Sequence, residues 1–178
     1  MLLKPDVPVR TVDECFRTGE DPASCHVYST HSDVHGVGRV HYLFSNDDRP
    51  LTASMLDLGA ATLSKYILVD WYLKTLAPLR ASQALPPSYE GTRYAMVVPI
   101  LAGDWVLLGE MQDKYVPLST FRFEQVDASA DALSVRMLGS ASDVSKVCAA
   151  KASQLENVVC KVVTFGSSAG SRVVRFEA

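Results

Sequence analysis

The stretch that decides the fold is RYAMVVPILAGDWVLLG, residues 93–109. It holds two apolar runs, at 94–100 and 105–108, on either side of the turn Ala102-Gly103-Asp104. β-Branched and aromatic residues dominate both runs, which is typical of strands. Comparable runs, bounded by Gly, Asp, Asn and Pro, lie at 40–44, 133–137 and 159–163. The sequence therefore predicts an all-β protein, an antiparallel β-sandwich that forms a single domain over residues 1–178, with a sub-boundary near 102–104 as the alternative.

Residues 60–76 fit two structures. Apolar residues at 63, 66, 67 and 73 fit one face of a helix, whereas the alternation at 67, 69, 71 and 73 fits a strand. We expect a strand over 65–72, with one short helix in this region as the alternative. Elsewhere we expect an irregular lead-in over 2–24, a turn at 46–50 and a strand at 51–58.

Composition excludes several classes of function. The chain has 178 residues and a formal net charge of -3, with no basic stripe, so we expect no nucleic-acid partner. No apolar run approaches the roughly 18 residues that a membrane helix needs, so we expect no membrane partner. The start, MLLKPD, lacks the apolar segment of a signal peptide. This favours a cytoplasmic location, with a mature form or a fragment as the alternatives.

The four cysteines form two pairs that are close in sequence. In an oxidising compartment the simplest pairing is Cys15 with Cys25 and Cys148 with Cys160, although four cysteines allow three pairings. In the cytosol all four stay reduced. We favour the reduced set, because a chain of this length does not need disulfides to fold.

All four histidines lie between residues 26 and 41, next to Cys25. Imidazole and thiolate are common ligands of zinc and copper, which suggests a metal site. Ligands on one face of a strand need even separations, and His31 and His35 satisfy this among neighbouring histidines. We take His31 and His35 as the candidate ligands, against the more common role of such histidines in ordinary hydrogen bonding. No other cofactor is expected.

No catalytic constellation emerges from the remaining motifs. Residues 166–170 match the G-x-S-x-G elbow of serine hydrolases, but that motif requires a following helix, and here a strand is expected. We interpret 166–170 as the tip of a hairpin between 162–165 and 172–176. Asp70 is the one acid inside an apolar run, which an edge or solvent-facing position would explain.

The two tryptophans have alternative roles. Trp71 and Trp105 would form a sugar-stacking platform if their rings were exposed. Aromatic side chains in strands more often belong to the core, and we favour the core for both. Trp71 and Trp105 are therefore the candidate ligand residues only if their rings are exposed.

The order of segments resembles the C-terminal β-sandwich of α-galactosidase-like glycoside hydrolases, in particular the raffinose synthase and seed-imbibition group. The resemblance covers residues 2–126 and rests on the segments 2–8, 13–16, 38–46, 65–72 and 94–100. In that family the sandwich packs on a catalytic barrel that carries the catalytic aspartates. No barrel is present here, so the resemblance implies no catalytic residue in this chain.

These observations lead to three hypotheses. The first is a non-catalytic accessory β-sandwich domain of a carbohydrate-active protein, with a carbohydrate or a catalytic barrel as its partner. The second is a secreted or viral β-domain that acts as a protein-interaction or inhibitor module. The third is a metal-binding protein that uses the histidine segment. None of them makes this chain an enzyme by itself.

Overall fold

The computed structural model describes residues 14–17, 25–45, 58, 60–80, 93–111 and 116–178, with the backbone alone for 14–17, 25–28, 45, 60 and 61. The strands and the two 3₁₀ helices follow in chain order as β1 (Glu14–Arg17), β2 (Cys25–Val34), β3 (Gly38–Ser45), a 3₁₀ helix (Ala60–Lys65), β4 (Tyr66–Asp70), β5 (Leu76–Pro78), β6 (Arg93–Pro99), a 3₁₀ helix (Ala102–Asp104), β7 (Trp105–Gly109), β8 (Phe123–Ala128), β9 (Ala132–Gly139), β10 (Val144–Lys151), β11 (Gln154–Thr164) and β12 (Gly170–Glu177).

The described strands form three sheets. One has six strands in the order β1-β2-β3-β6-β4-β5, and two have three strands each, in the orders β11-β10-β7 and β12-β9-β8. Each pairing between the described strands is antiparallel. The predicted all-β, sandwich-like fold is confirmed. Ala102–Asp104 joins β6 of the six-stranded sheet to β7 of a three-stranded sheet, so the predicted sub-boundary falls between two sheets. The single-domain assignment stays a prediction.

Strand β6 lies inside the six-stranded sheet and is buried on both faces. Tyr94, Met96 and Val98 point into the main core, whose members come from all three sheets. Ala95 and Val97 lie on the opposite face, in a second apolar cluster. A strand that is buried on both faces is apolar at nearly every position, which explains the uninterrupted run in the sequence.

The segment 60–76 contains both of the structures that its sequence fits. A 3₁₀ helix covers Ala60–Lys65 and β4 follows at once, so the expected strand is confirmed over Tyr66–Asp70 and the short helix is present as well. Leu63 of the helix packs with Leu68 of β4 and with Leu79. The helix therefore covers the second face of the six-stranded sheet.

The hairpin of β2 and β3 contacts β8 through a glycine. Gly36, in the turn at 35–37, has φ +80°, which favours glycine over residues with a side chain. The Val126 amide donates a hydrogen bond to the His35 carbonyl at 3.1 Å. A Cβ at Gly36 would run into the carbonyl of Val126. The turn thus fixes the six-stranded sheet against the sheet β12-β9-β8.

Two expectations about the strands are wrong. Residues 14–17, inside the expected irregular lead-in, form β1 because they pair with β2. The strands on either side of 166–170 do not form a backbone-paired hairpin, because β11 pairs with β10 and β12 pairs with β9. Side chains bridge them instead: Lys161 Nζ donates to the Arg175 carbonyl at 2.6 Å, and Arg172 Nε donates to the Thr164 carbonyl at 3.4 Å.

A disulfide joins β10 to β11. The antiparallel register sets Cys148 directly opposite Cys160, with their Cα atoms 4.0 Å apart, and the two sulfurs are bonded. The expectation of four reduced cysteines is therefore wrong for this pair. The side chains of Cys15 and Cys25 are outside the described part of the chain, and their pairing stays a prediction.

Several expectations fall elsewhere in the chain. Residues 2–13 and 18–24 of the lead-in, the turn at 46–50 and all of the expected strand 51–58 except Leu58 lie outside the described residues. Within the described ranges, no helix is long and apolar enough to cross a membrane.

Candidate functional site

The structure separates the two candidate metal ligands. His31 lies within β2 opposite His41 of β3, and their ring centres are 6.4 Å apart. His31 Nε2 lies 3.6 Å from Asp33 Oδ2. His35 follows the end of β2 in the exposed turn, so the even spacing along a strand no longer relates it to His31. Among the described side chains, no three of His, Cys, Asp or Glu converge as a metal site would need. Metal binding by His31 and His35 stays a prediction.

Both tryptophans lie in the core. Trp71 is 8% exposed and Trp105 is 4% exposed. Lys74 Nζ lies 3.2 Å from the centre of the Trp71 ring, and Lys151 Nζ lies 3.7 Å from the centre of the Trp105 ring. Trp105 Nε1 also donates to the Ser129 carbonyl at 3.0 Å. A sugar could stack on either ring only if the lysine over the ring or the surrounding core residues moved. The ligand role of Trp71 and Trp105 stays a prediction, and it requires such a movement.

The acids that could act as general acid or base have structural partners. Asp70 is 2% exposed, which corrects the expected edge or solvent-facing position, since β4 lies between β6 and β5. Its Oδ1 accepts the amides of Tyr72 and Leu73 and so closes the turn after β4. Asp104 Oδ2 accepts the Ser153 amide at 2.8 Å, at the turn between β10 and β11. Both carboxylates therefore shape turns.

A partly buried ionic network lies between the end of β7 and the starts of β8 and β10. Arg122 Nη2 donates to Glu110 Oε1 at 2.8 Å, and Arg122 Nη1 donates to Asp143 Oδ2 at 2.6 Å. The Ser145 hydroxyl also donates to Glu110 Oε1. Burial of Arg122 opposes its charge, but the hydrogen bonds and charges of Glu110 and Asp143 outweigh that effect and raise its pKa. Sequence reasoning missed this network, because its members are far apart in the chain and form no motif.

The strands β10 and β11 carry exposed valines on the face that also holds the Cys148–Cys160 disulfide. Side chains alternate between the two faces of a strand, which places Val144 of β10 and Val162 of β11 on this face. Val158 lies two positions before the disulfide-bonded Cys160 and therefore shares the same face. Val144, Val158 and Val162 are 63%, 39% and 67% exposed. On the opposite face Val147 of β10 is 0% exposed, whereas Val159 of the edge strand β11 is 52% exposed. We call Val144, Val158 and Val162 the valine surface.

The surroundings of the valine surface suit it to contact with another molecule. The disulfide crosses its centre and fixes β10 against β11. Lys146 lies opposite Val162, and the exposed Glu156 lies two positions before Val158, so both signs of charge flank the valines. β11 is also the edge strand of its sheet, which leaves one row of backbone groups without a strand partner among the described strands. Of the features described above, this one offers apolar, polar and backbone contacts together.

No protein-family model, no curated protein and no solved structure matches this chain. The resemblance to the sandwich of α-galactosidase-like enzymes therefore rests on the sequence segments alone.

Proposed function

We propose that this chain is a non-catalytic β-sandwich domain that acts by packing against another protein through the valine surface. The observation that supports the proposal is the exposure of three valines around a disulfide on one face of β10 and β11. Apolar side chains that are grouped and rimmed by charges are typical of surfaces that bind a partner.

The size of the valine surface indicates what else the partner must contact. Full burial of one valine contributes about 1.5–3 kcal/mol, so the exposed parts of three valines contribute on the order of 3 kcal/mol. Association of two proteins costs about 4 kcal/mol or more in lost rotational and translational freedom. The partner must therefore also contact the polar rim, including Lys146 and Glu156, or the open edge of β11.

The resemblance to an accessory sandwich suggests the partner: the catalytic barrel of a carbohydrate-active enzyme. The test titrates the isolated barrel of an α-galactosidase-like enzyme, stripped of its own C-terminal sandwich, with this chain in a calorimeter. We expect binding, and we expect Val162→Glu to weaken it at least about tenfold because a buried unpaired charge is costly. Val173→Glu is the matched control, since Val173 is 60% exposed on β12 and lies outside the valine surface. Equal affinities for the two variants would refute the assignment of the surface.

The absence of catalysis has its own test. The chain is incubated with aryl α-galactosides and raffinose-type oligosaccharides, and product release is measured. We expect no turnover above buffer, and reproducible turnover that co-purifies with the chain would overturn the proposal.

The disulfide supports a second candidate, an interaction or inhibitor module whose partner is not a sugar-processing enzyme. Disulfides persist in oxidising compartments, which suits a secreted β-domain. Intact-mass measurement with and without reductant checks whether the bond is present in the purified protein. A bonded chain that ignores the barrel would favour this candidate over the first.

A further inference from the structure

We propose that the Cys148–Cys160 disulfide is a redox-controlled clamp that keeps the valine surface in its binding form. This inference rests on the function proposed above, because it concerns the regulation of the same surface. The clamp would be opened by a small thiol such as glutathione and closed again by oxidation.

The pairing of β10 with β11 shows why the disulfide matters for the part of β11 that carries Val158. The ladder is regular from the pair Val144–Thr164 to the pair Ala149–Val159, but the next pair is Lys151–Gln154. Between these two pairs β11 has four residues, 155–158, whereas β10 has only Ala150, so residues 155–158 cannot pair regularly with β10. The disulfide lies one residue from the last regular pair, at the point where this irregular segment begins. It therefore fastens the segment that carries Val158.

The edge position of β11 makes the irregular segment depend more strongly on the disulfide. β11 is an edge strand among the described strands, so the irregular segment has a hydrogen-bonded strand neighbour there on one side only. Segments with few backbone partners open locally at a lower free energy than the rest of a protein. A covalent link to β10 prevents such opening next to Cys160. Without the link, we expect 155–160 to separate from β10 while the rest of the fold stays intact.

The burial of the two cysteines defines the chemistry. Cys160 is half-buried at the surface, whereas Cys148 is 2% exposed. An external thiolate attacks the Cys160 sulfur, and the Cys148 sulfur leaves as a thiolate and takes up a proton. A second external thiolate then attacks the external sulfur of the mixed disulfide, and the Cys160 sulfur leaves as a thiolate and takes up a proton. The balance is one protein disulfide and two thiols converted to two protein thiols and one disulfide of the external thiol.

The experiment compares hydrogen exchange of the oxidised chain with that of the chain held in reduced glutathione. We expect exchange over 155–160 to accelerate at least about tenfold on reduction, as for a segment that opens locally. The pairing of β9 with β12, which is regular over its whole length, is the internal control and should not change. Cys148→Ala/Cys160→Ala is the matched variant: it should exchange like the reduced chain and should not respond to glutathione. A response in that variant would assign the effect to Cys15 or Cys25 and overturn the proposal.

The binding titration with the barrel separates this inference from the proposed function. Faster exchange together with weaker binding of the reduced chain supports the clamp. Equal binding in both redox states overturns the clamp and leaves the proposed function standing. Unchanged exchange overturns the clamp whatever the binding result. No binding in either state, with faster exchange on reduction, overturns the proposed function and the regulatory role, and leaves only a local structural effect of the bond.

Discussion

Arg122 shows how much of the fold depends on one side chain. It joins Glu110, just after β7, to Asp143, just before β10, and both carboxylates are largely shielded from water. Removal of Arg122 leaves the buried Glu110 carboxylate without its charged partner, which costs about 1–3 kcal/mol. We expect Arg122→Met to lower the free energy of unfolding in urea by that amount. Arg136→Met, at an exposed position of β9, is the control and should change it by less than about 0.5 kcal/mol. Equal stabilities of the two variants would contradict a structural role of the network.

The raised pKa of Arg122 also sets the pH range in which this stabilisation acts. A group with a folded-state pKa above its unfolded value stabilises the fold fully below the unfolded pKa and loses that effect as the pH rises through the folded pKa. For an arginine this window is strongly alkaline. The contribution of Arg122 itself is therefore constant through the neutral range, and its loss in the Arg122→Met variant should be the same at pH 6 as at pH 8, within about 0.5 kcal/mol.

The turn of the β2–β3 hairpin contacts β8 of another sheet. Substitutions at two glycines of this hairpin distinguish the cost of backbone strain from the cost of losing that contact. Gly36 and Gly38 both have positive φ, at +80° and +94°, so alanine at either position costs about 1–2 kcal/mol. Only at Gly36 would the added methyl group meet the Val126 carbonyl, whereas nothing lies within 4 Å of a Cβ at Gly38. We expect Gly36→Ala to cost about 1–3 kcal/mol more than Gly38→Ala in urea unfolding, because the turn must move away from β8. Equal costs would mean that the contact with β8 contributes nothing.

The strands also show how much of the fold the sequence predicts. The period-two and continuous apolar runs predicted β3, β4, β6, β7 and β9, because burial on one or both faces leaves that pattern. The pairing of β11 with β10 instead of β12 could not be predicted, since tertiary contacts decide which strands pair. The buried position of Asp70 was missed for a similar reason: its amide partners at Tyr72 and Leu73 exist only once the turn has formed.

For the candidate site, the sequence provided residues but not their surroundings. The cysteine pair Cys148–Cys160 was recognised from spacing, yet its redox state could not be derived from chain length. The valine surface was not recognised, because strands such as 159–163 look like core strands in sequence. The register, which the sequence does not reveal, places Val162 on the face opposite to the buried Val147.

We expect the main core to couple the described strands into one cooperative unit, although Ala102–Asp104 lies between the six-stranded sheet and the strands β7–β12. Buried residues from all three sheets belong to the same apolar cluster, including Trp71 and Trp105 from the two sides of this division. Opening either side would expose the core of the other, so we expect one unfolding transition. Trp71→Phe and Trp105→Phe each leave one tryptophan to report on one side. In each variant, urea unfolding followed by fluorescence and by far-ultraviolet circular dichroism should give the same midpoint. Separate midpoints, with the tryptophan of one side unfolding first, would instead establish the boundary near 102–104 as a true domain boundary.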